Sequence, residues 1–208
     1  MEPGCTAVAG ECGVRDRLLS AAAKLLARKG YAGTTVREIV DAAGVTKPVL
    51  YYHFGSKEGI YLALMASAIK EFDAALDAAL AAGGGAREQI ARVLGNVLDL
   101  ILANLDLVRL VHAIYFGPPQ GAPFFDFETF HQRLLGVVRD LIARGIAAGE
   151  FRAGDPEDMT MAILGAFDIC QEMNLHHPEL DFDRKRLDRV LDMVFNGLLA
   201  DQAKERAQ

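Results

Sequence analysis

Apolar residues recur three and four positions apart along almost the whole chain, and the strict alternation of a half-buried strand is essentially missing. That spacing admits packed helices and little else, and the stop signals are as regular as the stripes. Leu18, Leu19, Ala22, Leu25 and Leu26 share one face of a helix read from about Arg15 to Lys29, with Gly30 placed to end it. Thr35 and Glu38 have the spacing of a capping box, which starts a two-turn helix from Val36 to Ala43 that stops at Gly44. Thr46 is expected to cap a third helix from Lys47 to Phe54, since Pro48 is tolerated in a first turn where the backbone N–H has no helical partner. Gly55 stops it. Ser56 then caps a long helix carrying Ile60, Leu64, Ile69, Phe72 and Leu76 to the Gly83-Gly84-Gly85 break.

Further helices read at about Ala86 to Asn104, Asp106 to Phe116, Phe127 to Ala148, Pro156 to Leu175 and Arg184 to Ala203, with the loop Gly117-Pro118-Pro119-Gln120-Gly121-Ala122-Pro123 as a firm break. The expected fold is all-α with about nine helices. At 208 residues with 51% apolar composition the chain can bury one sizeable core or two smaller ones. No apolar run approaches the roughly 18 residues of a membrane span, and the start lacks a basic-then-apolar leader pattern, so a cytoplasmic protein without a membrane partner is expected. Cys5 and Cys12 match no common zinc or thioredoxin spacing, and with Cys170 they read as reduced thiols.

Charge is unevenly spread. Eight basic residues (Arg15, Arg17, Lys24, Arg28, Lys29, Arg37, Lys47, Lys57) against three acidic ones (Asp16, Glu38, Asp41) leave Val14 to Lys57 at +5, so the rest of a chain of net −6 carries −11. A cationic head on an acidic body suits a polyanion. Within that head, two short helices joined by Gly44 and Val45 have the layout of a helix-turn-helix reader. Leu50 and Phe54, four apart, should dock on Ile39, Val40 and the first helix. At about 100° per residue, Pro48 and Tyr52 then point away, Val49 and Tyr51 flank them, and Lys47 leads at the N-terminal end. Hydroxyls and flat rings, a methyl surface for thymine and a cation for guanine or phosphate suit a DNA groove. Helix N-termini at Thr35 and at Ser56-Lys57 aim amides outward, as phosphate clamps require.

The segments Gly30-Tyr31-Ala32-Gly33-Thr34-Thr35-Val36-Arg37-Glu38-Ile39, Ala43-Gly44-Val45-Thr46 and Leu50-Tyr51-Tyr52-His53-Phe54-Gly55-Ser56-Lys57-Glu58 resemble, in order and spacing, the TetR family of bacterial transcriptional regulators. The resemblance covers about Val14 to Leu64. It implies that Thr35, Thr46, Tyr52 and Lys57 hold phosphates, that Arg37, Lys47, Val49 and Tyr51 lie near bases, and that His53 touches the backbone. It also implies a homodimer on double-stranded operator DNA, one reader per half-site, about one turn apart. The expected organisation is a tail (1–13), a helix-turn-helix DNA-binding domain (14–57), a connecting helix (58–82) and a ligand-binding and dimerisation domain (86–208).

Local physics alone speaks for the body. Ala162, Gly165 and Ala166 permit close helix approach, and Leu187, Leu191, Val194 and Leu198 have the spacing of a coiled-coil seam, so these residues are expected at a dimer interface. Aromatic residues gather around the Pro/Gly loop, among them Tyr115, Phe116, Phe127 and Phe130, and His112, His131, Asp168 and Glu172 are polar groups on otherwise apolar helices. Together they are the expected lining for a small apolar or aromatic effector. Metal readings are incomplete: Glu128-x-x-His131 is one motif where a di-iron bundle needs two, and Glu172, His176, His177 and His112 form no recognised set, so no cofactor or metal is expected. The function expected is a ligand-responsive repressor rather than an enzyme. The competing class is a helical-bundle enzyme or metalloprotein with incidental head similarity, for which no activated nucleophile or phosphate loop speaks; a regulator without an effector is a third.

Overall fold

In a computed structural model the residues described are 13–115, 121–180 and 182–198. Cys5, Cys12, Phe116, the loop stretch from Gly117 to Gln120, the continuation of the last helix to Ala203 and the side chain of Leu198 lie outside them. Nine α-helices are described: α1 (Val14–Gly33), α2 (Val36–Ala43), α3 (Lys47–Phe54), α4 (Lys57–Ala81), α5 (Ala86–Ala103), α6 (Leu105–Tyr115), α7 (Phe127–Ala147), α8 (Pro156–His176) and α9 (Arg184–Leu198). A short 3₁₀ turn, Pro178–Leu180, precedes α9 and was not anticipated. None of the helices described is long and apolar enough to cross a membrane.

The residues form two compact units, one within Met1–Ser67 and Asp106–Phe125, the other within Ala68–Leu105 and Asp126–Gln208. In the first, α1 packs on α2 and α2 on α3. Leu18, Ala22 and Leu26 of α1, Ile39 and Val40 of α2, Leu50 of α3, Ile60, Tyr61, Leu64 and Met65 of α4 and Leu110 of α6 are buried. The expected stop at Gly30 is present, with φ 70° and ψ 173°, although one further turn follows before the chain extends at Thr34. Such a φ costs glycine nothing and an L side chain a great deal.

In the second unit α5 packs against α7, α8 and α9. Gly85 offers α5 no side-chain cap, and the Glu150 carboxylate accepts from the Ala86 and Arg87 amides instead, at 2.7 and 2.8 Å. A carboxylate there also meets the positive end of the helix dipole. Asp126 and Asp155 cap α7 and α8 from their own chain-preceding positions. Phe151 stacks on Phe195 at 6.0 Å, and Gly145 leaves room for it: a Cβ there would lie 2.5 Å from the Phe151 ring.

This packing corrects one expectation. Leu187 and Leu191, read as seam residues for a twin, are 0% and 1% exposed in the single chain. With Phe195 they form the inward stripe of α9, so the unit's own core takes that face.

Candidate nucleic-acid interface

The reader is built from its scaffold outward. The Thr35 hydroxyl accepts from the Glu38 amide at 3.3 Å, and Glu38 Oε2 accepts from the Thr35 amide at 2.9 Å, which completes the capping box of α2. Lys29 donates to the same carboxylate at 2.5 Å. The Lys29 hydrogen bond, then the Thr35 amide, then the Thr35 hydroxyl hold the Glu38 carboxyl down at about 2. At the other end Gly44, in the left-handed region, and Val45 return their amides to Val40 and Asp41 carbonyls, which sets the sharp turn into α3.

The eight residues of α3 divide cleanly. Leu50 is fully buried, whereas Tyr52 is 85% and Tyr51 49% exposed. Lys47, Pro48 and His53 are exposed and Val49 half-buried. Phe54 is half-buried, with the Arg15 guanidinium 5.5 Å from its ring centroid, so it docks toward α1 as its spacing implied. The Tyr52 and His53 rings meet edge to face at 5.2 Å, which steadies the outward phenol. Thr46 departs from expectation: its hydroxyl caps nothing, and its carbonyl accepts from Val49 and Leu50 amides at 3.1 and 3.4 Å. The hydroxyl is thereby left on the exposed side. Arg37 reaches Asp41 only at 3.7 Å with its side chain 80% exposed, an ion pair of little worth that a phosphate or base readily displaces.

On the far side of α3, Ser56 accepts from the Gly59 amide at 2.9 Å and caps α4. Lys57 is half-buried, and its ammonium turns inward to the carbonyls of Tyr31 and Thr34 rather than outward to solvent, where the resemblance implied a phosphate contact. Sequence reading missed this, and it missed two buried residues nearby. Thr34 donates its hydroxyl to Gly30 and Leu25 carbonyls, and Tyr61 lies fully buried with its ring edge-on to Tyr31 at 5.2 Å and its hydroxyl without a partner. A tyrosine flanked by Ile60 and Leu64 is the one signal that pointed to a buried ring.

The body residues singled out for an effector are distributed over both units. His112 and Tyr115 belong to the first; Phe127, Phe130, His131, Asp168 and Glu172 belong to the second. Phe127 is core. Phe130 sits 4.2 Å from Phe72 and 5.4 Å from His131, ring to ring. Partial burial raises the Asp168 carboxyl on α8, the His131 charge lowers it and Glu172 raises it. A groove of about 310 Å³, not anticipated, runs along α5 and α9 over Ala91, Leu191 and Phe195 and is rimmed by Arg87, Glu88, Asp188 and Asp192. Among the described residues no three or more His, Cys, Asp or Glu side chains come together to hold a metal.

A three-helix head that buries one face of a short third helix and presents lysine and tyrosine on the other defines a helix-turn-helix DNA-binding protein. Residues 18–64 match the model of the bacterial regulatory proteins, tetR family. The transcriptional repressor KstR2 of Mycolicibacterium smegmatis is 31% identical over 145 residues, 66% of this chain and 67% of that protein. The transcriptional activator FasR of the same organism is 31% identical over 140 residues, 67% of this chain and 63% of that one. The crystal structure of the TetR family transcriptional regulator PfmR from Thermus thermophilus superposes with a TM-score of 0.70 at 26% identity, over 86% of this chain and 94% of that one. The chain belongs to the TetR family: it is a DNA-binding transcription regulator and not an enzyme.

Proposed function

We propose that the chain is a homodimeric repressor that places one α3 helix in each half of a palindromic operator and releases it on binding a small apolar or aromatic effector. The observation that carries the DNA half is the division of α3 between a buried Leu50 and the outward Tyr51, Tyr52 and Lys47. In this reading Lys47, Pro48, Val49, Tyr51 and Arg37 meet base edges, while Thr35, Thr46, Tyr52 and His53 meet phosphates. Repression is favoured because relatives such as KstR2 are named as repressors, and FasR makes activation the outcome to test against.

Dimerisation rests on the outward faces of α8 and α9. Met161 and Ile169 are exposed on one face of α8 with Ala162 and Gly165, and Met193 is 77% exposed on α9. Small residues between large apolar ones let two helices approach closely and bury area on both copies. Ala166 and Val194, both half-buried, border that face. For the effector, the Phe72–Phe130 pair beside His131 supplies apolar surface with a polar group, the usual composition of a ligand site, and Asp168 and Glu172 on α8 are the further polar candidates.

Switching requires the effector to favour the dimer conformation that binds DNA less well, by differential affinity alone. Light scattering of the purified protein is expected to give twice the 22.5 kDa chain mass. Titration of the operator complex with aromatic and aliphatic acids and alcohols should find a compound that weakens operator binding by roughly 5- to 150-fold. An effector and an operator that leave each other's affinity unchanged would remove the switching half of the proposal.

A further inference from the structure

The cationic head carries more charge than its reading helix uses. Of the eight basic residues, Lys47 opens α3, Lys29 binds Glu38, Arg37 lies beside Asp41 and Lys57 donates to the Tyr31 and Thr34 carbonyls. The other four, Arg15, Arg17, Lys24 and Arg28, are all exposed on α1. They fall on two sides of that helix. At about 100° per residue, Arg17, Lys24 and Arg28 lie within about 40° of one another, and the positions from Arg15 to Lys24 carry Arg15 about half a turn away from that stripe.

The Arg15 guanidinium lies over the Phe54 ring, 5.5 Å from its centroid. Phe54 is the last residue of α3, Gly55 turns the chain at φ 73°, and the Ser56 hydroxyl then accepts from the Gly59 amide to begin α4. A side chain of α1 is thereby held against the C-terminal end of the reading helix, at its corner with α4. Among the described residues Arg15 has no ion pair. A guanidinium resting on an aromatic face keeps its N–H edges for another partner, and that planar fork of donors matches the oxygens of a phosphate. We propose that Arg15 is a DNA-backbone contact: it binds a phosphate beside the C-terminal end of α3, whereas the stripe of Arg17, Lys24 and Arg28 faces away from the duplex. The ring fixes where the charge stands, so the contact adds affinity and register without reading sequence. This rests on the reading above in which the outward face of α3 enters a groove.

The test is the affinity of the full-length protein for a duplex recovered by selection from a random library, measured from about 50 to 200 mM salt. Each phosphate neutralised steepens the fall of log K with log salt by about 0.9. Arg15→Gln is expected to flatten the slope by about 0.9 per copy, so its deficit against wild type shrinks about 3.5-fold per copy over that fourfold range of salt. Arg15→Lys keeps a cation and should keep the slope. Lys24→Gln, on the far side of α1, should leave it unchanged. Thermal unfolding of all three should match wild type, since both positions are exposed. A change that merely misplaced α3 would lower affinity with the slope intact. An unchanged slope in Arg15→Gln, an equal fall in Lys24→Gln, or a fall in Arg15→Lys as well would each overturn the proposal. Lys47→Ala, run beside them, must lower the slope or the sequence preference. If it does neither, the DNA-face reading fails whatever Arg15 does.

Discussion

Two helices of this protein, α3 and α9, invite comparison because each carries one apolar stripe and each has the pattern of a helix with a partner outside the chain. In α3 the stripe is a single fully buried residue, Leu50, and the eight-residue helix must then show its other side to solvent. In α9 the stripe Leu187-Leu191-Phe195 runs over more than two turns and is taken by the chain's own core, on a fifteen-residue helix whose outer face still exposes Met193. Periodicity states which face is buried. What buries it is decided by the neighbours, and a long helix has more than one candidate.

That contrast is sharpened most strongly by cavity substitutions. Leu50→Ala and Leu191→Ala should each cost about 2 to 5 kcal/mol in chemical unfolding. The loss at Leu191 should be independent of protein concentration, because the residue is buried within one chain; a concentration-dependent loss would return it to the seam. Next in size is the converse change. Ile169→Glu together with Met193→Glu should weaken self-association by at least about tenfold in analytical ultracentrifugation, while monomer unfolding moves by less than about 0.5 kcal/mol, as for ordinary surface positions.

Smaller effects probe the head from inside. Tyr61→Phe removes a buried hydroxyl that has no partner, so thermal unfolding should be unchanged or raised by up to about 1 kcal/mol; a clear loss would show that the hydroxyl is satisfied. The capping box gives the mildest test. Glu38 titrates at about 2 folded against 4.5 unperturbed. A depressed carboxyl stabilises the fold fully above its unfolded value, and that contribution fades as pH falls from about 4.5 through about 2. Exchange at the α2 amides should quicken over that window in the wild type and show no such step in Glu38→Gln.

What the sequence made legible follows the same division. The head was readable because its signals are local: Thr35 and Glu38 are three apart, Gly44 and Gly55 adopt positive φ, and Leu50 fixes the orientation of Tyr52. Distant contacts were not. Lys57 finds its acceptors 23 and 26 residues away, and Glu150 caps a helix that starts 64 residues earlier, so neither leaves a mark in any short window. Thr46 illustrates the limit of a local rule. It occupies the cap position with extended backbone, yet its hydroxyl makes no cap bond, and Pro48 in the first turn already removes one of the donors it would serve. In the body, Phe127 and Phe130 look alike in sequence, but one is core and the other half-buried beside His131.

The central claim is that the outward face of α3 reads a duplex. Selection of bound fragments from a random DNA library, with the wild type and Lys47→Ala side by side, tests it most directly. An inverted repeat with half-sites about one helical turn apart is expected, with a changed base preference in each half-site for the variant, worth about 1 to 3 kcal/mol on the wild-type sequence. No enriched repeat, or the same repeat recovered with equal preference by both proteins, would contradict it.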